Sequence, residues 1–309
     1  MLMRPARAKQ TENTRGFMAH QNSPKPTKAE RTAAAREKAR QMREAQQKRE
    51  KRNSLLVKGG VVVAVLVIIG VIAAVVITNQ RGQIADAGAA PAHGNANGGI
   101  TITQNGLADT DPVNVDVANI PAPASTEGDV IVPAGVAAAP KGEPANIVMY
   151  VDMGCPVCKS FEGQYGEYLT ELTSSGDATV EYRVATFLDR VSTTNYSSRA
   201  ANAVACVADS SPEVFNDYLT QLFAQQPAEG GAGLDNATLT SIAETAGATD
   251  VSSCIDDGEF RPWAKFVNQT FSDYQVGGTP TVYVDGQKWD PNTAGDFQQF
   301  AKGIIDARA

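Results

Sequence analysis

The clearest hydrophobic pattern in the chain lies in residues 147–172. Residues 147–151 form an unbroken apolar run that ends at the polar Asp152. A run this short and continuous predicts a strand buried on both faces. Farther along, apolar residues recur at steps of three and four, as on one face of an amphipathic helix: Val157, Phe161, Tyr165, Tyr168, Leu169 and Leu172. The pattern therefore predicts a buried strand that turns directly into a helix.

Two cysteines lie at this turn, in the stretch Cys155-Pro156-Val157-Cys158. Cys155 falls at the predicted helix start, and Pro156 lies just inside it, where the missing N–H of proline costs nothing. The free N–H groups and the dipole of a helix N-terminus stabilise a thiolate, so they can lower the pKa of Cys155 from about 8.5 to roughly 3.5–7.5. Cys158, one turn farther on, is within reach for a disulfide. A C-x-x-C between strand and helix is the thioredoxin-type redox motif.

Strand and helix signals continue through the C-terminal half. A strand with alternating Val180, Tyr182 and Val184 is predicted in residues 179–187. A block with helical signals only follows, with helices predicted at 197–209, 211–225, 236–246 and 259–274. Residues 281–284 predict a strand that enters a hairpin turn at Asp285-Gly286. A last amphipathic helix carries apolar residues at Phe297, Phe300, Ile304 and Ile305.

The N-terminal part differs from the rest in charge. Residues 1–58 carry a net charge of +11, whereas the remainder carries −18. Residues 59–78 contain no charged residue, and twenty residues in a helix cover a hydrocarbon core of about 30 Å. We predict an uncleaved membrane anchor rather than a signal peptide, although Ala85-Asp86-Ala87 would be a passable cleavage site. The basic side stays in the cytoplasm, so the chain after Arg81 is expected outside.

The basic residues before the anchor have two interpretations. Lys48, Arg49, Lys51, Arg52 and Lys58 could bind nucleic acid, but they directly precede the predicted span. Attraction to anionic membrane lipid is the favoured role, and no nucleic-acid partner is expected. The predicted organisation begins with a basic, largely disordered cytoplasmic segment at 1–58 and an anchor at 59–78. An extracytoplasmic linker at 79–127 follows, in which residues 100–103 could form a short strand. A folded domain at 128–309 begins with a strand at 129–132 and holds a helical insertion at about 190–275.

The order of these elements resembles the DsbA family of thiol–disulfide oxidoreductases. The stretch Tyr150-Val151-Asp152-Met153-Gly154-Cys155-Pro156-Val157-Cys158 with Phe161 is similar to the active site of that family, and Gly278-Thr279-Pro280 is similar to its cis-proline loop. The resemblance covers the chain from about Asp129 to Ile305 and is strongest to membrane-anchored actinobacterial members. It implies an α/β thioredoxin fold with an inserted helical domain.

The resemblance also implies roles for single residues. Cys155 would be the exposed nucleophile, Cys158 the buried resolving cysteine, and Pro280, after Thr279, a cis proline that faces the pair. A cis proline leaves neighbouring backbone groups free to pair with an extended substrate; a trans proline that opens an edge strand is the alternative. Well-studied DsbA proteins have histidine where this chain has Val157, so Cys155 is expected to be less acidic than theirs.

Three further residues are left with alternatives. Cys206 and Cys254 are expected to form a structural disulfide, because an even cysteine count outside the membrane favours pairing and similar actinobacterial proteins suggest it; two free buried thiols are the alternative. Asp152 is either a proton-handling group near Cys158 or a plain strand-end residue. A zinc site would need all four cysteines at uneven spacing, so neither a metal nor a cofactor is expected.

These features predict an anchored extracytoplasmic enzyme that forms disulfides in exported proteins with cysteines. The sequence has no quinone or flavin motif, so electrons must leave through a partner, and the resemblance implies a DsbB-like or VKOR-like membrane protein. The same pair could instead serve a reductase or isomerase, and a non-enzymatic envelope module is a third possibility. A hydrolase with a catalytic histidine is excluded, because His93 is the only histidine after the anchor.

Overall fold

The computed structural model describes residues 28, 31–33, 35–52, 59–60, 67–68, 83–128 and 130–308. The chain divides into two compact units, Met1–Gln80 and Arg81–Ala309. In the first unit, residues 35–52 are helical and almost entirely exposed. Among the described residues, none of the helices has the length and apolar content needed to cross a membrane. Most of the anchor predicted at 59–78 lies outside the described residues.

The described part of the second unit contains ten strands and eight α-helices. The strands are β1 (Ala87–Ala89), β2 (Ile100–Thr103), β3 (Gly106–Leu107), β4 (Asn114–Asp116), β5 (Ser125–Glu127), β6 (Val130–Val132), β7 (Ala145–Val151), β8 (Ala178–Val184), β9 (Thr281–Val284) and β10 (Gln287–Lys288). The helices are α1 (Pro156–Ser175), α2 (Tyr196–Ser210), α3 (Phe215–Ala224), α4 (Asn236–Ala246), α5 (Ser252–Asp257), α6 (Arg261–Asp273), α7 (Pro291–Ala294) and α8 (Phe297–Asp306).

A six-stranded mixed sheet lies at the centre, in the order β10-β9-β7-β8-β2-β3. Strand β7 pairs in parallel with β8 and antiparallel with β9, so that Ile147 lies opposite both Val180 and Val284. Its side chains alternate between two cores: Met149 packs in the larger one with α1, and Tyr150 in a smaller one with Phe271. Both faces of β7 are therefore covered, which confirms the predicted buried strand.

The N-terminal edge of this unit differs from the predicted linker at 79–127. The short strand predicted at 100–103 is confirmed as β2. It pairs antiparallel with β8, with Ile100 opposite Tyr182, and Ile100 is completely buried. The side chain of Asn95 donates to Glu181 Oε2 at 3.0 Å, and its Oδ1 accepts from the backbone N–H of Gly99 at 3.0 Å. From residue 83 this stretch belongs to the folded unit. Its Ala/Gly/Asn-rich composition is typical of a linker, but here asparagine side chains and strand pairing satisfy the backbone.

The strand predicted at 129–132 was expected to begin the folded unit, and this part of the prediction is wrong. Within the described part of the chain, Val130–Val132 pairs only with β5, in a separate two-stranded ribbon, and the first strand of the central sheet is β2. The helical insertion lies between β8 and β9, within the predicted limits. It includes α5, which the sequence did not predict because six residues are too few to display a helical period. The hairpin of β9 and β10 and the terminal helix α8 lie where they were predicted.

A disulfide joins two helices of the insertion. Cys206 of α2 and Cys254 of α5 are bonded, and their Cα atoms lie 5.9 Å apart. The Cys206 side chain is completely buried. Cys155 and Cys158 are free thiols. Because two of the four cysteines are bonded to each other, the four-cysteine zinc site considered from the sequence cannot form.

Candidate active site

The turn between β7 and α1 is held by the carboxylate of Asp152, which is completely buried. Its Oδ1 accepts from Ser197 Oγ at 2.6 Å and from the backbone N–H of Gly154 at 2.8 Å. Its Oδ2 accepts from the N–H of Leu188 at 3.1 Å, and its carbonyl accepts from the N–H of Cys155 at 2.9 Å. Asp152 therefore fixes the turn to the start of the helical insertion, which is more than a plain strand end.

Burial is the main cause that raises the pKa of Asp152 to about 6, although its three hydrogen bonds act in the opposite direction. The folded protein therefore holds this proton more tightly than the unfolded chain does, and stability falls as the pH rises through the range between the two pKa values. Relative to Asp152→Asn, the wild type should lose about 2 kcal/mol of unfolding free energy between about pH 4 and pH 7.5. Urea unfolding at several pH values measures this difference. Parallel pH profiles of the two proteins would contradict it.

The two thiols differ in access. Cys158 is completely buried, and 6% of Cys155 is exposed, whereas 59% of the intervening Val157 is exposed. Cys155 is thus less exposed than the resemblance implied, because its sulfur turns from the surface towards the loop at Thr279. Its Sγ lies 3.3 Å from the carbonyl oxygen of Thr279 and donates to it when Cys155 is protonated.

The two thiols also differ in acidity. A hydrogen bond from the Cys158 thiol is the largest cause that lowers the pKa of Cys155 to about 6; burial opposes it, while the Thr279 hydroxyl and the N–H groups of Cys158 and Val157 add to it. Burial raises the pKa of Cys158 well above its ordinary value. The pair therefore favours one thiolate and one thiol at neutral pH. The helix N-terminus contributes as predicted, but the neighbouring thiol contributes more.

The loop before β9 completes the site. The peptide bond between Thr279 and Pro280 is cis. The hydroxyl of Thr279 is buried and has no hydrogen-bond partner among the described residues. It nevertheless helps to lower the pKa of Cys155, because it can donate to a thiolate. The structure thus brings the predicted residues Cys155, Cys158 and Thr279 together, and Pro280 directly follows.

Replacing Thr279 by Val should raise the pKa of Cys155. A hydrogen bond to a charged group contributes roughly 1.5–3 kcal/mol, so we expect a rise of about one unit. The ultraviolet absorbance of the thiolate, followed against pH, measures the shift. Thr281→Val is the matched control, because the Thr281 hydroxyl donates to the carbonyl of Gly278 and does not face the sulfurs. An unchanged pKa in Thr279→Val would show that this hydroxyl does not stabilise the thiolate.

One residue of the site was missed from the sequence. The side-chain amide of Gln226, which follows α3, donates to the carbonyls of Met153 at 2.8 Å and Cys155 at 3.1 Å. Its own backbone carbonyl accepts from Lys159 Nζ at 3.3 Å. Gln226 thus connects the helical insertion to both sides of the cysteine turn. A single glutamine after a helix carries no pattern that could have predicted this role.

Comparisons with known proteins agree with this geometry. Residues 134–303, over half of the chain, match the family described as thioredoxin. The disulfide bond oxidoreductase DsbG of Mycobacterium tuberculosis, in its reduced form, is 31% identical over 57% of this chain and 89% of its own, with a TM-score of 0.46. Oxidised DsbA of the same organism is 32% identical over 60% of this chain and 95% of its own, with a TM-score of 0.45.

A more distant structure is MdbA, a thiol-disulfide oxidoreductase from Actinomyces oris. It is 20% identical over 54% of this chain and 82% of its own, with a TM-score of 0.46. No curated protein matches the chain. The family match covers both the cysteine turn and the Thr279 loop. The chain therefore belongs to the thioredoxin family and is a DsbA-like thiol–disulfide oxidoreductase.

Proposed function

We propose that this oxidoreductase forms disulfides in exported proteins, outside the cytoplasm and anchored to the membrane by residues 59–78. The observation that carries the proposal is the position of the Cys155 sulfur, which lies among the Cys158 thiol, the Thr279 loop and the first N–H groups of α1. These groups stabilise the thiolate of the reduced pair. A pair that is stable when reduced takes electrons readily when oxidised.

The oxidised pair would act by two exchanges. A substrate thiolate attacks the Cys155 sulfur, the bond between Cys155 and Cys158 breaks, and Cys158 leaves as a thiolate that takes up a proton. A second substrate thiolate then attacks the substrate sulfur of the mixed disulfide, and Cys155 leaves as a stabilised thiolate. The substrate loses two electrons and gains a disulfide; one of its two protons is retained on Cys158 and the other passes to solvent. In this second exchange Cys155 leaves readily, because its pKa is lower than that of Cys158.

The sequence features outside the site support the proposed location. Residues 1–58 are basic and residues 59–78 are uncharged, the pattern of an anchor whose basic side faces the cytoplasm. The disulfide of Cys206 and Cys254 supports an oxidising compartment, because such bonds are rare in the cytoplasm. Anionic lipid would attract the basic segment. The two electrons would pass by a further exchange to a membrane partner, DsbB-like or VKOR-like.

Protease treatment of intact protoplasts tests the location. The region after Arg81 should be digested, and the region before Lys58 should be protected by the membrane. An antibody against each region reads the fragments, and permeabilised protoplasts are the control in which both regions are cut. Protection of both regions in intact protoplasts would contradict the proposal.

The reduction potential of the Cys155 and Cys158 pair tests the direction of the reaction. Equilibration with glutathione buffers, read by thiol labelling, should give a value between about −270 mV for thioredoxin and about −120 mV for DsbA. A value at or below that of thioredoxin would favour the reductase. An isomerase should instead rearrange wrongly paired disulfides in a protein that is already oxidised.

A further inference from the structure

A groove beside the cysteine pair has features that catalysis does not explain. It lies between α1 and α3 and has a volume of about 470 Å³. Two carboxylates, Glu162 and Glu167, and one ammonium group, that of Lys159, line it together with Gly163, Gly166, Thr170, Thr220, Phe223 and Ala224. We name it the α1–α3 groove. A hydrogen bond crosses it at each end: Lys159 Nζ donates to the carbonyl of Gln226 at 3.3 Å, and Asn216 Nδ2 donates to Thr170 Oγ1 at 3.3 Å. The groove lies between these two bonds.

The glycines on the α1 side of the groove are not required by the packing of the chain. A Cβ atom at Gly163 would meet nothing within 4 Å, and one at Gly166 would meet only Glu162 Oε2 at 3.5 Å. Glycine in a helix interior lowers stability relative to alanine. Alanine would fit at both positions, so the glycines weaken α1 without relieving any internal contact. They leave helix backbone bare for a molecule from outside.

The floor of the groove carries an incompletely bonded carboxyl group. Glu162 Oε2 accepts from the Tyr182 hydroxyl at 3.3 Å, but Oε1 is buried and accepts no hydrogen bond from the described residues. Burial raises the pKa of Glu162 to about 7. A buried acceptor without a donor is unfavourable, and a donor brought by a ligand would relieve it. The ammonium of Lys159 at the groove entrance is already directed to Gln226.

We propose that the α1–α3 groove binds a lysine or arginine side chain of the substrate protein, close in sequence to the cysteine that reacts with Cys155. The apolar stem would pack against Phe223 and Ala224, and the cationic end would approach Glu162. The inference rests on the proposed oxidation of protein substrates, and it names the class of substrate segment. Charge complementarity with Glu162 selects a basic side chain over an apolar one.

The position of the groove fixes the spacing. Lys159, at its entrance, donates its backbone N–H to the carbonyl of Cys155 at 3.1 Å. Glu162 follows Cys155 by seven residues, which is about 10 Å along a helix. An extended peptide covers about 3.3 Å per residue, so the basic residue should lie about three residues from the reacting cysteine.

Two peptides without cysteine test the groove separately from the chemistry. Each has serine at the cysteine position and either lysine or norleucine three residues away. In titrations of the nitrogen-15-labelled reduced protein, the lysine peptide should shift the amide signals of Gly163 and Gly166 and bind about tenfold more tightly than the norleucine peptide. Glu162→Gln should remove this difference. Glu171→Gln, the same charge change on the same helix but outside the groove, should retain it.

A second variant distinguishes a loss of binding from a loss of folding. Gly163→Leu should fill the groove and abolish the preference for lysine, while the unfolding temperature rises because leucine favours a helix. Equal affinities for the two peptides in the wild type, shifts that spare both glycines, or a preference that persists in Glu162→Gln would each overturn the proposal. Lysine-dependent binding at the groove would support the groove proposal even if the wild type failed to oxidise reduced proteins. Failure to oxidise reduced proteins would contradict only the proposed function.

Discussion

Cells that produce Cys158→Ala should accumulate mixed disulfides between Cys155 and exported proteins, while turnover falls to the uncatalysed rate. The Cys155 thiolate of the variant attacks a substrate disulfide and displaces one substrate sulfur. No neighbouring thiol is left to attack the new bond, so the second substrate sulfur stays attached. Non-reducing electrophoresis after acid quenching should show adducts that disappear when reductant is added.

The same substitution should also change the acidity of Cys155. The Cys158 thiol provides the largest contribution to the low pKa of Cys155, so the pKa should rise above about 6 in the variant. Trapping should therefore fall off more steeply below neutral pH than thiolate labelling of the wild type does. The double variant Cys155→Ala/Cys158→Ala, which keeps the other disulfide, is the control and should trap nothing. Absence of adducts from Cys158→Ala at any pH would favour the non-enzymatic envelope module.

Removal of the disulfide between Cys206 and Cys254 should lower the free energy of unfolding more than the other substitutions do. The bond closes a loop between positions 48 apart in the sequence. In the chain-entropy model, losing such a loop costs about 4 kcal/mol, a large part of the roughly 5–15 kcal/mol that stabilises a typical domain. The double variant Cys206→Ser/Cys254→Ser, which leaves neither of these two cysteines behind as an unpaired thiol, should show this loss in urea unfolding.

Oxidation of a dithiol peptide at low temperature should be nearly unaffected in that variant, because Cys206 and Cys254 lie on helices of the insertion and the active pair lies at the turn after β7. Graded reduction of the wild type should open the active pair well before the buried Cys206 bond. If both pairs opened at one potential, and the double variant kept its stability, Cys206 and Cys254 would be a second redox pair instead of a structural bond.

The sequence predicted those features of the fold that local patterns determine. The buried run at 147–151, the helix that follows it and the C-x-x-C between them all depend on neighbouring residues, so period and capping are sufficient to locate them. The position of Cys155 at a helix N-terminus was enough to predict that its pKa is lowered. The main cause of the lowered pKa is the thiol of Cys158, and this contribution could be identified only from the side-chain geometry.

Features that depend on distant residues could not be predicted in this way. Asp152 acquires its role through Ser197, 45 positions away, and Gln226 reaches the cysteine turn from the end of α3. Neither contact leaves a periodic trace in the sequence. In the stretch at 83–127 the sequence predicted the short strand at 100–103 but not its place in the central sheet. The composition there is that of a flexible segment, while the order comes from long-range pairing of β2 with β8.

That pairing also bears on the solubility of the domain. Without β2, the seven-residue β8 would become an edge strand with free N–H and C=O groups and with Val180 and Tyr182 on its faces. Long apolar edges of this kind pair readily with other chains. In the intact unit the sheet ends instead at β3 and β10, each only two residues long, which gives an intruding strand little to bind. A fragment that began at residue 128, at the start of the apparent catalytic domain, would expose β8 and should self-associate. The residues before it therefore protect this side of the sheet from pairing with other chains.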